Sequence, residues 1–292
     1  MRFLFAANAI MQIQRYTDPE EFRADTDAFL LAKAASCSHM YSTTRGLTSE
    51  QVAQRRLWLA RVHQNGVTCG AAVITTAAPM RLLAFTAIDD EAIDLVVQAL
   101  AQDGMRPEAL TGQVDTAYRI AARLGLRASE RVRLGNHTLD TPPVIPTCAG
   151  RMRAATPDDY ALVLAWEDAF IHECNLPYDK ASLERMISDR LNAPMPLEWL
   201  WEVEGVPVAK ALGRPSAPIA RIGMVYTLPG QRGKGYAGAL VGQLSAALQG
   251  QGCGRVFLAT DMANPTSNGV YRRLGYRFID EGTHLDLIAA IG

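Results

Sequence analysis

The sequence predicts an α/β protein with two similarly organised domains. Stretches with helical spacing of apolar residues alternate with short strand-like runs along the 292 residues. Three prolines within residues 142–146 interrupt both kinds of pattern. The order of elements before this segment is repeated after it. We therefore expect one domain over residues 1–145 and a second over 146–292.

The first half begins with helical patterns and continues with strands and helices in alternation. Helices are predicted at about 19–36, 48–58, 89–102 and 114–124. Strands are predicted at 58–63, 67–75, 81–87, 108–111 and 131–139. Gly125 follows the last of these helices as a stop signal.

The second half has the same succession. Strands are predicted at 151–155, 198–203, 206–212, 221–228 and 256–260, with one more strand pattern after Gly275. Helices are predicted at about 157–173 and 180–192, from 237 onward, and from Asn264 to Gly275. Asn264 is a suitable N-cap because Pro265 follows it at the first helical position.

The most informative segment is the glycine-rich turn between the strand at 221–228 and the helix that follows. Gly233 and Gly235 allow the backbone to approach a ligand closely. The first amides of the helix lack carbonyl partners, and the helix dipole makes this end positive. Arg232 and Lys234 add full charges. The turn is therefore predicted to bind a phosphate-bearing ligand.

Two kinds of phosphate-binding motif compete for this segment at the level of residues alone. The Walker pattern does not fit residues 230–236. Gly233, Gly235 and Gly238 do spell the G-x-G-x-x-G of dinucleotide-binding proteins, and Asp261 follows the next strand. Against that interpretation, Leu-Pro-Gly-Gln-Arg leads from the end of the strand to Gly233 in place of a tight turn, and too little chain remains after Asp261 for a doubly wound sheet.

Two motifs resemble those of the GNAT family of acyl-CoA-dependent N-acetyltransferases. Arg232-x-x-Gly235-x-Ala237 matches the family's R/Q-x-x-G-x-G/A motif, and residues 225–229 resemble its splayed fourth strand. Residues 264–276 resemble the segment N-x-x-(S/A)-x-x-x-Y-x-x-x-G-(F/Y). The resemblance covers roughly residues 150–292. It implies a mixed, mostly antiparallel sheet flanked by helices, with acetyl-CoA as co-substrate and no metal.

The resemblance also implies roles for particular residues. Coenzyme A would be bound by Val225, Tyr226, Thr227, Arg232, Gly233, Lys234, Gly235, Tyr236, Ala237, Asn264 and Ser267. Tyr271 would act as general acid on the departing thiolate. Apart from the resemblance, the attacking amine must lose a proton to a carboxylate or a water chain; Glu202 or Glu173 is the candidate general base, with Glu167 and His172 as further possibilities.

The predicted activity is direct transfer of an acetyl or other short acyl group to an amine, within a ternary complex. The acceptor would be a small molecule or a peptide. Two other functions stay open: a non-catalytic acyl-CoA-binding module, and a nicotinamide-dependent oxidoreductase that uses Gly233, Gly235 and Gly238.

The first half differs from the second at the positions that carry this chemistry. Asp89, Asp90 and Glu91 stand where the second half has its basic turn, and Ala121 stands where Tyr271 stands. Three carboxylates at a helix start would repel a pyrophosphate. We therefore expect the first half to be a degenerate copy that neither binds coenzyme A nor catalyses. Residues 37–41 are predicted to form a loop that could reach the acceptor cleft.

Composition sets the remaining expectations. A formal charge of −1 without a basic stripe argues against a nucleic-acid partner. Five widely spaced cysteines fit no metal motif or disulfide framework and indicate reduced thiols, hence a cytoplasmic location. No apolar run is long enough for a membrane helix. The apolar stretch within residues 1–10 is shorter than the apolar region of a signal peptide, and these residues are expected to be a short extension.

Overall fold

The computed structural model describes residues 10–77, 80–177 and 179–289. The strands are β1 (Met11–Tyr16), β2 (Trp58–Gln64), β3 (Val67–Ala77), β4 (Met80–Phe85), β5 (Ala109–Gln113), β6 (Leu126–Leu139), β7 (Arg151–Ala154), β8 (Glu198–Val203), β9 (Val206–Ser216), β10 (Ile219–Thr227), β11 (Arg255–Asp261) and β12 (Arg277–Ala289). The helices are α1 (Pro19–Ala32), α2 (Ala34–Thr44), α3 (Ser49–Gln54), α4 (Asp90–Gln102), α5 (Val114–Arg123), α6 (Tyr160–Glu173), α7 (Lys180–Leu191), α8 (Tyr236–Gly250) and α9 (Pro265–Leu274). The predicted extension at residues 1–10 lies outside the described residues except for Ile10.

The chain forms two compact units whose limits differ from the predicted boundary. Unit 1 comprises Met1–Val132 and Glu281–Gly292, and unit 2 comprises Arg133–Asp280. The proline segment at 142–146 lies inside unit 2, where the Val144 amide donates to the Leu274 carbonyl at 3.0 Å. The prolines break secondary structure, as predicted, but they do not separate the units.

The sheet of unit 1 has the strand order β1-β2-β3-β4-β5-β12. The pairs β1–β2, β2–β3, β3–β4 and β5–β12 are antiparallel, and β4–β5 is parallel. Helix α4 connects the two parallel strands, as a crossover connection must. Its apolar stripe, which includes Ile93, Val96 and Leu100, is buried in a core with Leu83 and Leu110.

Unit 2 repeats this arrangement with the strand order β7-β8-β9-β10-β11-β6. Here β10–β11 is the parallel pair, α8 is its crossover helix, and the other pairs named in this order are antiparallel. Trp201 lies in the core with α8, whereas its neighbour Leu200 packs with Trp166 of α6. Because adjacent strand residues point to opposite faces, helices cover both faces of this sheet.

The two units exchange their last strands. Strand β6 follows α5 of the first repeat, but its residues Leu134–Leu139 pair with β11 of unit 2. Strand β12 follows α9 of the second repeat, but its residues Gly282–Asp286 pair with β5 of unit 1. This exchange is the physical reason for the shifted boundary, because each unit is completed by a strand from the other repeat.

Two further local expectations are corrected. Residues 37–41, predicted as a loop, lie in α2, where Cys37, Ser38, Met40 and Tyr41 are all buried. Strand β1 is not predicted from the sequence, because Met11–Tyr16 alternates apolar and polar residues only at first and then ends in Arg-Tyr.

All five cysteines are free thiols, with Cys37 and Cys253 buried. Within the described residues no helix is both long and apolar enough to cross a membrane.

Candidate functional site

The site begins where β10 and β11 of unit 2 separate. The two strands pair in parallel from Ile219↔Arg255 to Arg221↔Phe257. Beyond these positions β11 continues to pair with β6 up to Asp261, and β10 continues to pair with β9 up to Thr227. In the described part of the chain no pairing joins β10 and β11 past Arg221. The backbone edge of β10 is therefore open in the gap between the two strands.

A bulge marks β10 at this gap. The register to β9 shifts between Gly223 and Tyr226, and Met224 lies in the left-handed region with φ 50°. A bulge leaves residues without ladder partners and turns the strand locally. The local strain at Met224 is of the kind that clusters at functional sites.

The predicted glycine turn follows directly. After a short 3₁₀ turn at Pro229–Gln231, Gly233 and Gly235 adopt φ of 80° and 86°. Residues with a side chain rarely adopt this left-handed backbone conformation, which explains why both positions are glycine. A Cβ on Gly233 would meet nothing within 4 Å, and one on Gly235 only the Cys148 Cβ at 3.9 Å. The turn therefore presents bare backbone to open space.

The amides of this turn have no partners among the described residues. The first helical bond of α8 runs from the Ala239 amide to the Gly235 carbonyl at 3.0 Å, and no side chain caps the helix. The N–H groups from Gly233 to Gly238 are thus available to a ligand. Together with the helix dipole they form an anion-binding concavity.

Arg232 lies beside these amides and is held by two groups. Its Nε donates to the Thr227 carbonyl at 3.0 Å, and its Nη2 lies 2.8 Å from both carboxylate oxygens of Glu173 at the end of α6. The guanidinium also lies over the Tyr226 ring, 5.6 Å from its centroid. Glu173, proposed as a base from the sequence, is therefore the present anionic partner of the predicted phosphate-binding arginine.

Of the other residues predicted to act in the turn, Lys234 is on the surface, whereas Tyr236 and Gly238 pack in the interior. Lys234 Nζ donates to Gln231 Oε1 at 2.8 Å on the exposed surface. The Tyr236 side chain is buried in the core, so only its backbone faces the concavity. Gly238, the third glycine of the dinucleotide pattern, is a packing residue, because a Cβ there would lie 3.3 Å from Pro146 and 3.6 Å from Val270.

Helix α9 begins and ends as predicted. The Asn264 side chain accepts the Ser267 amide at 3.0 Å, and Gly275 ends the helix with φ 101°. Asn268 shares the helix face of Asn264 and Tyr271 but is not among the predicted ligand contacts; its side chain binds the Thr260 hydroxyl and donates to the Asp261 carbonyl at 3.1 Å. It fixes α9 to the end of β11. The signal for it was the polar residue at helical spacing from Tyr271.

Tyr271 lies on α9 in the same core cluster as Val225, Tyr236 and Leu258. Its side chain is 8% exposed, and its hydroxyl has no hydrogen-bond partner among the described residues. Burial raises the pKa of Tyr271 well above the usual value for a phenol. By contrast, the nearby Tyr276 hydroxyl is 2.8 Å from Ser245 Oγ. Tyr271 is thus a protonated phenol without a fixed acceptor.

The two base candidates lie in different surroundings. Glu202 on β8 is bound by Arg153, which in turn is paired with Asp159, and Arg151 lies 3.4 Å away. The hydrogen bond from Arg153 lowers the pKa of Glu202, which makes it a poorer base. Glu173 is closer to the turn, 3.5 Å from the Tyr226 hydroxyl. Glu167 is buried in an ion-pair network with Lys210 and Arg190.

At the equivalent helix start in unit 1, side chains of the protein itself occupy the positions where a ligand would bind. Asp89 caps α4 by accepting the Ala92 amide at 2.9 Å, and Arg119 pairs with Asp90 at 2.9 Å. Arg119 also donates to the Ile88 carbonyl at 2.9 Å. Ala121, aligned with Tyr271, is buried and carries no polar group.

Comparison with known proteins agrees with this geometry. Residues 161–276 match the model of the acetyltransferase (GNAT) family. No curated protein matches the chain.

Solved structures extend the similarity to the full length. A GCN5-related N-acetyltransferase from Sphaerobacter thermophilus is 18% identical with a TM-score of 0.59, covering 94% of each chain. A Drosophila protein is 10% identical with a TM-score of 0.69, covering 95% of this chain and 98% of its own. A tandem GNAT protein from the clavulanic acid biosynthesis pathway is 15% identical with a TM-score of 0.57, covering 97% and 100%. At these identities the similarity establishes the fold alone.

Proposed function

We propose that the protein is an N-acyltransferase that moves an acetyl or other short acyl group from acyl-CoA to an amine. The observation that carries the proposal is the run of amides from Gly233 to Gly238, which have no partners among the described residues, begin with two left-handed glycines and lie where β10 and β11 separate. The family match over residues 161–276 supports the same conclusion.

The residues present fit a pyrophosphate and an extended pantetheine arm. The amides of the turn would bind phosphate oxygens, with Arg232 and Lys234 supplying charge. The open edge of β10 at Val225, Tyr226 and Thr227 would pair with amide groups of the arm, as an added strand does. Glu173 now supplies the anion at Arg232, so binding would require this ion pair to exchange partners.

The chemistry assigned to the chain's own groups is limited to polarisation and proton transfer. A bound acyl-CoA would supply an activated thioester. A backbone N–H at the β10 bulge, near Val225 or Tyr226, would donate to the carbonyl oxygen as negative charge develops on it. The Tyr271 Oη would protonate the departing sulfur, since its raised pKa keeps the proton on the phenol at neutral pH.

Of the two base candidates, Glu173 has the better position, and the pKa of Glu202, lowered by Arg153, makes Glu202 a poor base. Asn264 serves as the α9 cap and could contact the ligand only with the remainder of its amide, and Ser267 would contact it through its hydroxyl. We propose that unit 1, with carboxylates at its helix start, neither binds coenzyme A nor catalyses. A cytoplasmic location remains a prediction from the cysteine pattern.

The structure bears differently on the two alternative functions, a nicotinamide-dependent oxidoreductase and a non-catalytic acyl-CoA-binding module. The nicotinamide interpretation is disfavoured, because unit 2 has a mostly antiparallel sheet and Gly238 is a packing residue. A non-catalytic acyl-CoA-binding module would use the same turn without turnover. The buried Tyr271 phenol favours the enzyme.

Two measurements on the whole chain test the proposal. Calorimetry with acetyl-CoA should give one site per chain, and with NADH none; two coenzyme A sites would contradict the assignment of unit 1. Thiol release should then be measured with acetyl-CoA across amines, polyamines, amino acids and peptide N-termini. Binding without turnover on any acceptor would favour the non-catalytic module, and no binding would overturn the proposal.

A further inference from the structure

Unit 1 has an open groove where the connection between β1 and α1 lies beside α3. Its volume is about 400 Å³, which is within the usual range for small-molecule sites. All the residues that line the groove belong to unit 1, so it is separate from the glycine turn of unit 2. The proposed transfer reaction does not use it.

The floor of the groove is apolar and held in place. It is formed by Tyr16, Val52, Leu57 and Met105. The Tyr16 hydroxyl donates to Asp25 at 2.6 Å, which fixes the orientation of the ring. The Leu57 amide donates to the Val52 carbonyl at 2.9 Å. Because these side chains are already positioned, an apolar group that packs on them binds at a small cost in entropy.

Two opposite charges, Asp18 and Arg56, form the rim of the groove. Asp18 accepts the Glu20 amide at 2.8 Å and the Ser49 hydroxyl at 3.3 Å, both at Oδ1. Among the described residues, neither the Asp18 Oδ2 nor the Arg56 guanidinium has a hydrogen-bond or ion-pair partner, and the two do not pair with each other. The rim therefore offers one unpaired anion and one unpaired cation beside an apolar floor.

The backbone holds Arg56 at the rim in an unfavourable conformation. Arg56 follows the end of α3 with φ 50°, and its amide donates to the Ala53 carbonyl at 3.2 Å. With the bond between Leu57 and Val52, this is the two-bond helix ending in which the left-handed residue is usually glycine. A residue with a side chain is less stable there. An arginine kept at such a position points to a role for its side chain.

We propose that this groove binds a free α-amino acid with an apolar side chain. The carboxylate of the ligand would bind the Arg56 guanidinium, its ammonium would bind the Asp18 Oδ2, and its side chain would pack on the floor. Only a ligand that carries both charges satisfies both groups of the rim, because an amine or a carboxylate alone leaves one of them unpaired. Unit 1 would then be a ligand-binding domain that does not bind coenzyme A. The proposal does not depend on the acyltransferase function.

The test compares L-leucine and L-phenylalanine with analogues that each lack one feature. Isoamylamine and phenethylamine lack the carboxylate, isocaproate and hydrocinnamate lack the ammonium, and glycine lacks the apolar side chain. Titration calorimetry of the whole chain without coenzyme A should show saturable binding of at least one of the two amino acids. Its analogues should bind at least about tenfold more weakly, as expected for loss of a charge-assisted contact or of a buried apolar group. No saturable binding of either amino acid, or equal binding of the analogues, would overturn the proposal.

Two variants each remove one charge of the rim. Arg56→Gln and Asp18→Asn should both weaken amino-acid binding by at least about tenfold. Asparagine is as good an N-cap as aspartate, so Asp18→Asn keeps the start of α1. Arg55→Gln is the matched control, because Arg55 is the neighbouring exposed arginine and does not line the groove. Its affinity for the amino acid should equal that of wild type.

The same variants separate this groove from any other place where an amino acid could bind. Wild-type affinity in both Arg56→Gln and Asp18→Asn would mean that the amino acid binds elsewhere, and would refute the proposal. An equal loss in Arg55→Gln would show an effect of surface charge alone and would also refute it. If Arg56→Gln does not fold, as thermal melting followed by circular dichroism would show, Asp18→Asn decides. In that variant isocaproate should bind no more weakly than it does to wild type, since it has no ammonium for Asp18 to bind.

Discussion

Helix α4 follows β4 and helix α8 follows β10 in the same strand–helix–strand arrangement, but the amides at the two helix starts differ in whether the protein supplies their hydrogen-bond acceptors. In unit 2 the amides from Gly233 to Gly238 have no partners in the described structure. In unit 1 the Asp89 carboxylate accepts an amide of α4, and Arg119 binds Asp90 and the Ile88 carbonyl. The frame supplies the positive end of a helix, and the residues around it decide whether a ligand or the protein itself supplies the anion.

The two units also differ in what lies beyond the last paired residues of their two parallel strands. In unit 1 the β4–β5 pairing extends to Ala84↔Thr111, and the Phe85 ring then packs on Gly112, where a Cβ would lie 2.5 Å from its Cε2. In unit 2 the pairing is also three residue pairs long and ends at Arg221↔Phe257, and no described residue lies within 4 Å of where a Cβ on Gly223 would be. An aromatic ring therefore fills the space beyond the paired residues in unit 1, whereas the described residues of unit 2 leave the space at Gly223 unfilled.

The largest expected effect concerns Tyr271, which unit 1 replaces by Ala121. Tyr271→Phe should lower kcat by about 10²- to 10⁴-fold, the usual range for loss of a general acid. Acetyl-CoA affinity should be retained, since the hydroxyl makes no hydrogen bond to any described residue. Because burial raises the pKa of Tyr271, its titration should not reduce wild-type kcat below about pH 10.

Tyr276→Phe is the control for this variant, because Tyr276 is equally buried but bonded to Ser245. It should leave kcat within about threefold of wild type, apart from the modest stability cost of one hydrogen bond. Equal losses in the two variants, or an undiminished kcat in Tyr271→Phe, would reject the acid role.

The next effect tests the basic turn against the acidic one. Arg232→Glu should weaken acetyl-CoA binding by about 3 kcal/mol, or about 100-fold, because a charge-assisted contact becomes a repulsion. Titration calorimetry measures it. Arg277→Glu, a charge reversal at another exposed arginine of the unit, should leave the affinity unchanged. Similar affinities for the two variants would remove Arg232 from the binding site.

The smallest effect lies in unit 1. Asp89→Ala removes the α4 cap and should cost about 1 kcal/mol of unfolding free energy, as N-cap losses do. Acetyl-CoA binding should stay at one site with unchanged affinity. Urea denaturation and calorimetry measure the two quantities. A second coenzyme A site appearing in this variant would show that the carboxylate alone had closed unit 1.

Local patterns were sufficient for most elements of the site. The turn glycines, the Asn264 cap and the Gly275 stop depend on residue types at fixed offsets, and the structure has them where the sequence predicts them. Strand β10 and helix α8 are likewise within a few residues of their predicted ranges. The partners of the buried and ion-paired side chains, by contrast, are not predicted from the sequence.

The features that the sequence does not predict share one cause: they depend on contacts between residues that are distant in sequence. Nothing local to Glu173 indicates that it binds Arg232, and nothing local to Lys210 indicates its burial between Glu167 and Glu198. Helix α2 was mistaken for a loop because its Cys-Ser-His-Met-Tyr run is buried on several sides and lacks an apolar stripe. Local periodicity also gives no register for strands that pair across the whole chain.

The pairing of β12 with β5 has a consequence for how the protein is made. Domains generally fold as units while the chain emerges, the N-terminal one first. Here the strand that pairs with β5 comes from residues 282–286, which are synthesised after all of Arg133–Asp280. The unit that begins first is therefore the last to be completed, and until then β5 exposes an unpaired edge. Such an edge is a known site of misassociation until residues 282–286 pair with it.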